Sequence, residues 1–284
     1  MKKSILVLLF LISYLTSTAK IPDAIIETLQ KQFVFCEIAY RSPNGDLRRT
    51  YGGGFIINHR YFATCDHVFK MDGNPNDQML SFEVIYNMHS NQAGTQMLHD
   101  SVFVDTHYKY SKRQFDFTKL RKENPGSDFI ILKLKHKINN VSVVFSKGLI
   151  EGPTYTMGLA MPDGIHPLTL EISSNTIMYF LNISKNRFYA SDPLTKDPFL
   201  VAILGNLHKG LSGSPVLNAK GEVMGMIELG ESKISIERLN SVRAANCITE
   251  AQYNQVVTGY NKGMAIALFV NIRFLTHNYI NGFL

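Results

Sequence analysis

Residues 210–217 read Gly210-Leu211-Ser212-Gly213-Ser214-Pro215-Val216-Leu217. Glycines frame a serine, a proline closes the turn, and an apolar pair opens a strand. Glycine adopts backbone angles that side chains forbid and lets a carbonyl approach main-chain N–H groups, which a reactive hydroxyl on a tight turn requires. Alone, the hexapeptide is an ordinary turn, because Gly, Ser and Pro mark loops of every kind. It gains weight from its surroundings, which are short apolar runs on both sides and, upstream, a histidine and an aspartate in settings suited to the same chemistry.

Working outward, the turn Asn218-Ala219-Lys220-Gly221 makes Pro215–Leu217 and Glu222–Ile227 a hairpin. Thr154 to Leu159, Leu168 to Ser173, Thr176 to Leu181 and Phe199 to Leu204 read as strands before it, and Met264 to Phe269 after it. Towards the N-terminus, Ile21 to Lys31 reads as a short amphipathic helix. Strands follow at Phe33 to Tyr40, Phe55 to Ile57, Tyr61 to Thr64 and Phe129 to Leu134, separated by turn signals such as Pro43-Asn44-Gly45-Asp46. Short strands divided by short turns argue for barrels or sandwiches rather than βαβ units. The pattern loosens between Lys70 and Ser127, which reads as a surface insertion, and the polar stretch Glu228 to Lys262 shows no period. Residues Asn271 to Tyr279 place Ile272, Leu275 and Tyr279 on one face of a terminal helix.

A chain of 284 residues, 45% hydrophobic and 18% charged, is globular rather than disordered and can hold one large or two small β-cores. Lys2 and Lys3, the apolar run Ile5 to Leu15, and the small residues Ser17-Thr18-Ala19 form the pattern of an export signal over residues 1–19. The run is short for a membrane span of roughly 20 residues, so a membrane association is expected only if the signal stays uncleaved. Losing Lys2 and Lys3, with no acid, lowers the formal charge from +6 to +4. The remaining basic residues are scattered or lie in loop-like patches, and no nucleic-acid partner is expected. Cys36, Cys65 and Cys247 are too few for a disulfide scaffold, and Cys65 reads as a small buried strand residue. No metal-ligand spacing is present, and neither a metal nor a cofactor is expected. The oligomeric state is left open.

A hydroxyl is a poor nucleophile at neutral pH and needs a base within hydrogen-bond reach, itself oriented by a buried carboxylate. His67 is the leading base, at the end of the strand Tyr61-Phe62-Ala63-Thr64 and just after Cys65-Asp66. His208, four residues before Ser212, is its rival. Asp128 heads the apolar strand Phe129 to Leu134 and is the leading orienting carboxylate, with Asp66, Asp105 and Asp116 as rivals. The order His67, Asp128, Ser212 differs from that of α/β-hydrolases, which also require G-x-S-x-G, and from that of subtilisins.

With these residues in place, the chain resembles a chymotrypsin-type (trypsin-like) serine protease, nearest in style to the bacterial and viral branch that includes the HtrA proteases. Gly52-Gly53-Gly54-Phe55-Ile56-Ile57 and Phe62-Ala63-Thr64-Cys65-Asp66-His67-Val68 resemble the strand pair leading to the catalytic histidine. Ser127-Asp128-Phe129-Ile130-Ile131-Leu132-Lys133-Leu134 resembles the aspartate segment. Gly210 to Val216 resembles the nucleophile loop, Gly221 to Ile227 the following hairpin arm, and Gly263 to Ala267 the last strand. The resemblance implies an all-β fold of two six-stranded antiparallel barrels, at about 33–138 and 150–270, within a protease domain of residues 20–284 closed by a helix at about 271–280. It implies His67 and Asp128 from the first barrel, Ser212 from the second, and an oxyanion hole from the N–H groups of Gly210 and Ser212. No PDZ module is expected after the last strand.

The expected activity is that of an exported serine endopeptidase, secreted or periplasmic, acting on polypeptides through an acyl-enzyme. The alternative is a catalytically silent protease-like fold that binds peptides or proteins. Three departures from the family pattern stand out. Leu211 replaces the acidic residue that digestive relatives pair with a newly cut N-terminus. Glu228 takes a place usually held by a small or neutral residue near the substrate strand and the aspartate. His67 and Asp128 are 61 positions apart, which strains their pairing. For specificity, the resemblance places Asn206 at the floor of the pocket for the residue before the cut bond, with Leu229 and Gly230 along its wall, so an uncharged side chain is expected there.

Overall fold

The computed structural model describes residues 21–70, 76–90, 97–110, 128–139, 143–148, 152–160, 169–178, 200–207, 210–231, 239–240, 243–244, 248–272 and 280. The expected signal at 1–19, the expected terminal helix at 271–280 except for residues 271, 272 and 280, and the rivals His208 and Asp116 lie outside them.

The first described element is helix α1, Asp23–Gln32, matching the amphipathic segment read from sequence. Asp23 in its first turn and Lys31 in its last complement the helix dipole. Ile25 and Leu29, one turn apart, are 3% and 0% exposed and share one apolar core with Leu217, Val223 and Met226 from the second half of the chain. The helix therefore joins the two halves through burial.

Six strands follow: β1 Phe33–Arg41, β2 Leu47–Asn58, β3 Tyr61–Cys65, β4 Gln78–Ser90, β5 Met97–Tyr110 and β6 Phe129–Leu134, with the short helix α2, Asp66–Lys70, after β3. They close into a barrel in the order β1-β2-β3-β6-β5-β4. Closure leaves no unpaired sheet edge. Large side chains such as Phe33, Phe35, Phe55, Phe62, Phe82 and Phe129 fill its interior. The segment expected to be a surface insertion between Lys70 and Ser127 thus supplies two of the six barrel strands. Its alternation was obscured because apolar residues also face outward: Leu80 on β4 is 41% exposed and Phe103 on β5 is 49% exposed, while Phe82, Val84 and Val102 point in.

The second half holds β7 Pro153–Ala160, β8 Thr169–Met178, β9 Leu200–Gly205, β10 Pro215–Leu217, β11 Val223–Glu231 and β12 Ala265–Asn271. Pairing runs β10-β11-β12-β9-β8-β7, and Val216 of β10 pairs back to Thr156 of β7. The expected hairpin is present, with Pro215 opposite Met226. The polar stretch read as aperiodic contains helix α3, Glu250–Asn261. Its start is a capping box, in which the Thr249 side chain accepts from the Gln252 N–H and the Gln252 side chain reaches back to the Thr249 N–H. That Thr-x-x-Gln signal was legible in the sequence. The apolar face was not, because only Val256 and Gly259 of this helix are fully buried. Among the described residues no helix is long and apolar enough to cross a membrane.

Candidate active site

The 61-position gap between His67 and Asp128 is closed by strand pairing. β3 and β6 run antiparallel with Cys65 opposite Phe129, and the ladder continues one step further as the Asp66 N–H donates to the Asp128 carbonyl at 2.6 Å. His67 then stands on the first turn of α2. Asp128 Oδ1 accepts the His67 backbone N–H at 2.8 Å, and Oδ2 lies 2.5 Å from Nδ1 of the ring. Two bonds from one carboxylate to main chain and ring fix the imidazole's position and orientation. Asp128 is 2% exposed, whereas the His67 side chain keeps 28% exposure. Burial raises the Asp128 pKa from its ordinary value, the His67 hydrogen bonds and charge oppose that shift, and Asp66 adds to it.

The serine turn is held from both halves of the chain. Ser214 N–H donates to the Leu211 carbonyl at 2.9 Å, closing the turn around Ser212 and Gly213. Ile227 of β11 then clamps it, its N–H donating to Ser214 O at 2.9 Å and its carbonyl accepting from Gly213 N–H at 2.7 Å. On the other side, Gly53 N–H of β2 donates to the Ser212 carbonyl at 2.8 Å, while Thr64 Oγ1 of β3 donates to the Gly53 carbonyl at 2.7 Å. Gly210 and Gly213 have φ of 95° and 90°, angles that L side chains avoid. At Gly213 a Cβ would also overlap Gly53 O and sit 2.6 Å from Thr64 Oγ1. Ser212 is half-buried. Its turn therefore rests on β2 and β3, the strand pair that leads to His67. Sequence reasoning placed the Gly52–Gly54 run in the strand paired before His67 and missed that Gly53 docks the turn. It also missed Thr64 and Ile227.

Leu211 is 5% exposed and packs with Val201, Ile203, Val216, Met224, Ile227 and Phe269. The turn is thus anchored by apolar burial. A Cβ on Gly158 would overlap the Leu211 side chain, so Gly158 of β7 completes its pocket.

Glu228 is 2% exposed. Burial first, and Asp128 second, push its carboxyl from the ordinary 4.5 to about 8. Cys65 is fully buried, as expected of a small strand residue, and its Sγ donates to the Ile227 carbonyl at 3.3 Å. Its thiol is held well above its ordinary range by burial and then by Asp128 and Glu228. The S, N and O atoms of Cys65, His67 and Asp128 lie within 4.8 Å of one another. Within this group the Cys65 thiol bonds the Ile227 carbonyl and Asp128 bonds the His67 ring.

Asn206 follows β9 and is exposed, and Leu229 and Gly230 continue β11 opposite Leu268 and Ala267 of β12. Of the rival carboxylates, Asp66 is fully buried and bonds Asp128 through its backbone, while Asp105 of β5 lies 4.0 Å from Lys133. Among the described residues, Cys36 and Cys65 are free thiols.

The model of the trypsin-like peptidase domain family matches residues 52–226. No curated protein matches the chain. Among solved structures, the chain is similar to the active form of the Rv3671c protease from M. tuberculosis, with 15% identity over 82% of this chain and 88% of that one and a TM-score of 0.47. It is similar also to an inactive serine-to-alanine mutant of Rv3671c from M. tuberculosis H37Rv, with 17% identity over 82% and 96% of the two chains and a TM-score of 0.47.

Proposed function

The chain belongs to the trypsin-like peptidase domain family, and we propose that it is an exported serine endopeptidase working through an acyl-enzyme. Ser212 Oγ attacks the scissile carbonyl while His67 takes its proton. Asp128, bonded to the far side of the ring, keeps the imidazole oriented and stabilises the cation that forms. The N–H groups of Gly210 and Ser212 receive the charge that develops on the carbonyl oxygen. His67 then returns the proton to the leaving amine, and water releases the acyl group by the same steps in reverse. In this reading the cyclic pairing of β7 to β12 is the second barrel, and residues 20–284 form one protease domain after a signal at 1–19.

The observation that carries the proposal is the paired grip of Asp128 on His67, at 2.8 and 2.5 Å, beside a serine turn hydrogen-bonded to β2. A fluorophosphonate probe is expected to label the purified protein on Ser212. Ser212→Ala is expected to lower peptide turnover by roughly four to six orders of magnitude without unfolding the protein. A folded protein that never labels supports the silent binding fold instead. Sequencing of the mature N-terminus tests export, with cleavage expected just before Lys20.

A further inference from the structure

Glu228 sits where the β11–β12 ladder slips: Ile227 pairs with Phe269, and Leu229 pairs with the adjacent Leu268. Glu228 is the extra residue of a bulge, an irregularity that re-aims one side chain out of a sheet's alternation. Its side chain is 2% exposed, and Oε1 is buried with no hydrogen-bond partner. The ionisable groups around it come from the first barrel. Asp128, just before β6, acts on its charge, and both carboxylates act on Cys65 at the end of β3. Asp128 in turn faces His67 and Asp66 of α2.

Two neighbouring carboxyls in a dry site do not both ionise, because each charge disfavours the other. Asp128 receives two hydrogen bonds from His67, which favour its charged form, whereas Glu228 Oε1 receives none. The charge therefore settles on Asp128 and the proton on Glu228. On the endopeptidase reading given above, we infer that Glu228 is a positioning residue: as a neutral buried acid it leaves Asp128 the single negative charge behind His67. Loss of its proton disrupts that arrangement.

The backbone supplies the route. The neighbouring Ile227 holds Gly213 and Ser214 through its carbonyl and N–H, and it receives the Cys65 thiol. A Glu228 carboxylate drawn towards water pulls on the strand position that secures both the serine turn and the end of β3. Glu228 keeps its proton up to about pH 8, so the change falls in an accessible range.

The test follows the ring-nitrogen NMR shifts of His67 from acid to alkaline pH in the full-length protein and in Glu228→Gln, with the rate of fluorophosphonate labelling measured on the same samples. Wild type is expected to show an alkaline inflection near pH 8 in the ring shifts, and labelling that falls about tenfold once Glu228 is ionised. In Glu228→Gln the inflection disappears and labelling varies by less than about twofold across the same range. An inflection common to both proteins overturns the role of Glu228, and so does its absence from wild type, an outcome read without the variant. If the inflection behaves as expected but Ser212 never labels, the coupling of Glu228 to His67 stands and the peptidase reading falls.

Discussion

Replacing Glu228 with Gln keeps the shape of the side chain and removes its ability to ionise. Because the residue is 2% exposed, water screens little of the cost of its charge. In the unfolded chain its carboxyl loses a proton near 4.5, and in the folded chain near 8. Between those values the folded protein binds a proton that the unfolded chain releases. The stability this group contributes is therefore complete below pH 4.5, shrinks as pH rises, and is lost above about pH 8. Each pH unit in that window corresponds to about 1.4 kcal/mol. At pH 7 the cost relative to a neutral isostere is about 3 kcal/mol, growing to about 4 kcal/mol at pH 8 and levelling at about 5 kcal/mol above it. Glu228→Gln should thus gain stability over wild type progressively between pH 4.5 and 8. Urea unfolding at several pH values across this window, followed by far-UV circular dichroism because the chain has no Trp, measures the difference directly. A gap between the two proteins that stays constant from pH 4.5 to 8, with equal m-values, refutes the reasoning.

Other perturbations probe the rest of the site. Leu211→Ala empties the apolar anchor of the serine turn and should cost about 3 kcal/mol in urea unfolding, with a matching loss of fluorophosphonate labelling; full labelling would show that burial of Leu211 does not hold the turn. Gly53→Ala places a Cβ 2.9 Å from Ser214 N and over its Oγ, so it should push the turn off β2 and slow labelling by about a hundredfold, a rate that unaltered kinetics would contradict. A peptide library should return an uncharged residue before the cut bond, since Asn206 brings no negative charge to the expected pocket floor; a profile dominated by Arg or Lys sinks that assignment.

The strand segments carried their own evidence. Phe129 to Leu134 and Phe33 to Tyr40 are continuous or alternating apolar runs, and burial on the barrel interior follows from them directly. β4 and β5 are not legible as half-buried strands because Leu80 and Phe103 put apolar groups on the outer face as well. Helix α3 escaped because its cap is local chemistry but its buried face is narrow. The candidate site residues His67, Asp128 and Ser212 are legible in the sequence as types in order.

Sequence by itself determined the candidate residues for the proposed chemistry: a hydroxyl on a glycine turn, an imidazole after a strand, a carboxylate ahead of an apolar one. These are properties of residue type and local pattern. Tertiary structure alone decided how they stand to one another. The pairing of Cys65 with Phe129 sets Asp128 against His67 across 61 positions, and the N–H of Gly53 seats the Ser212 turn on the first barrel. It also decided the two departures, turning Leu211 into an apolar anchor of the turn and burying the Glu228 carboxyl at the β11 bulge. Register, burial and the field of neighbouring charges arise from contacts between distant segments, and no local pattern encodes them.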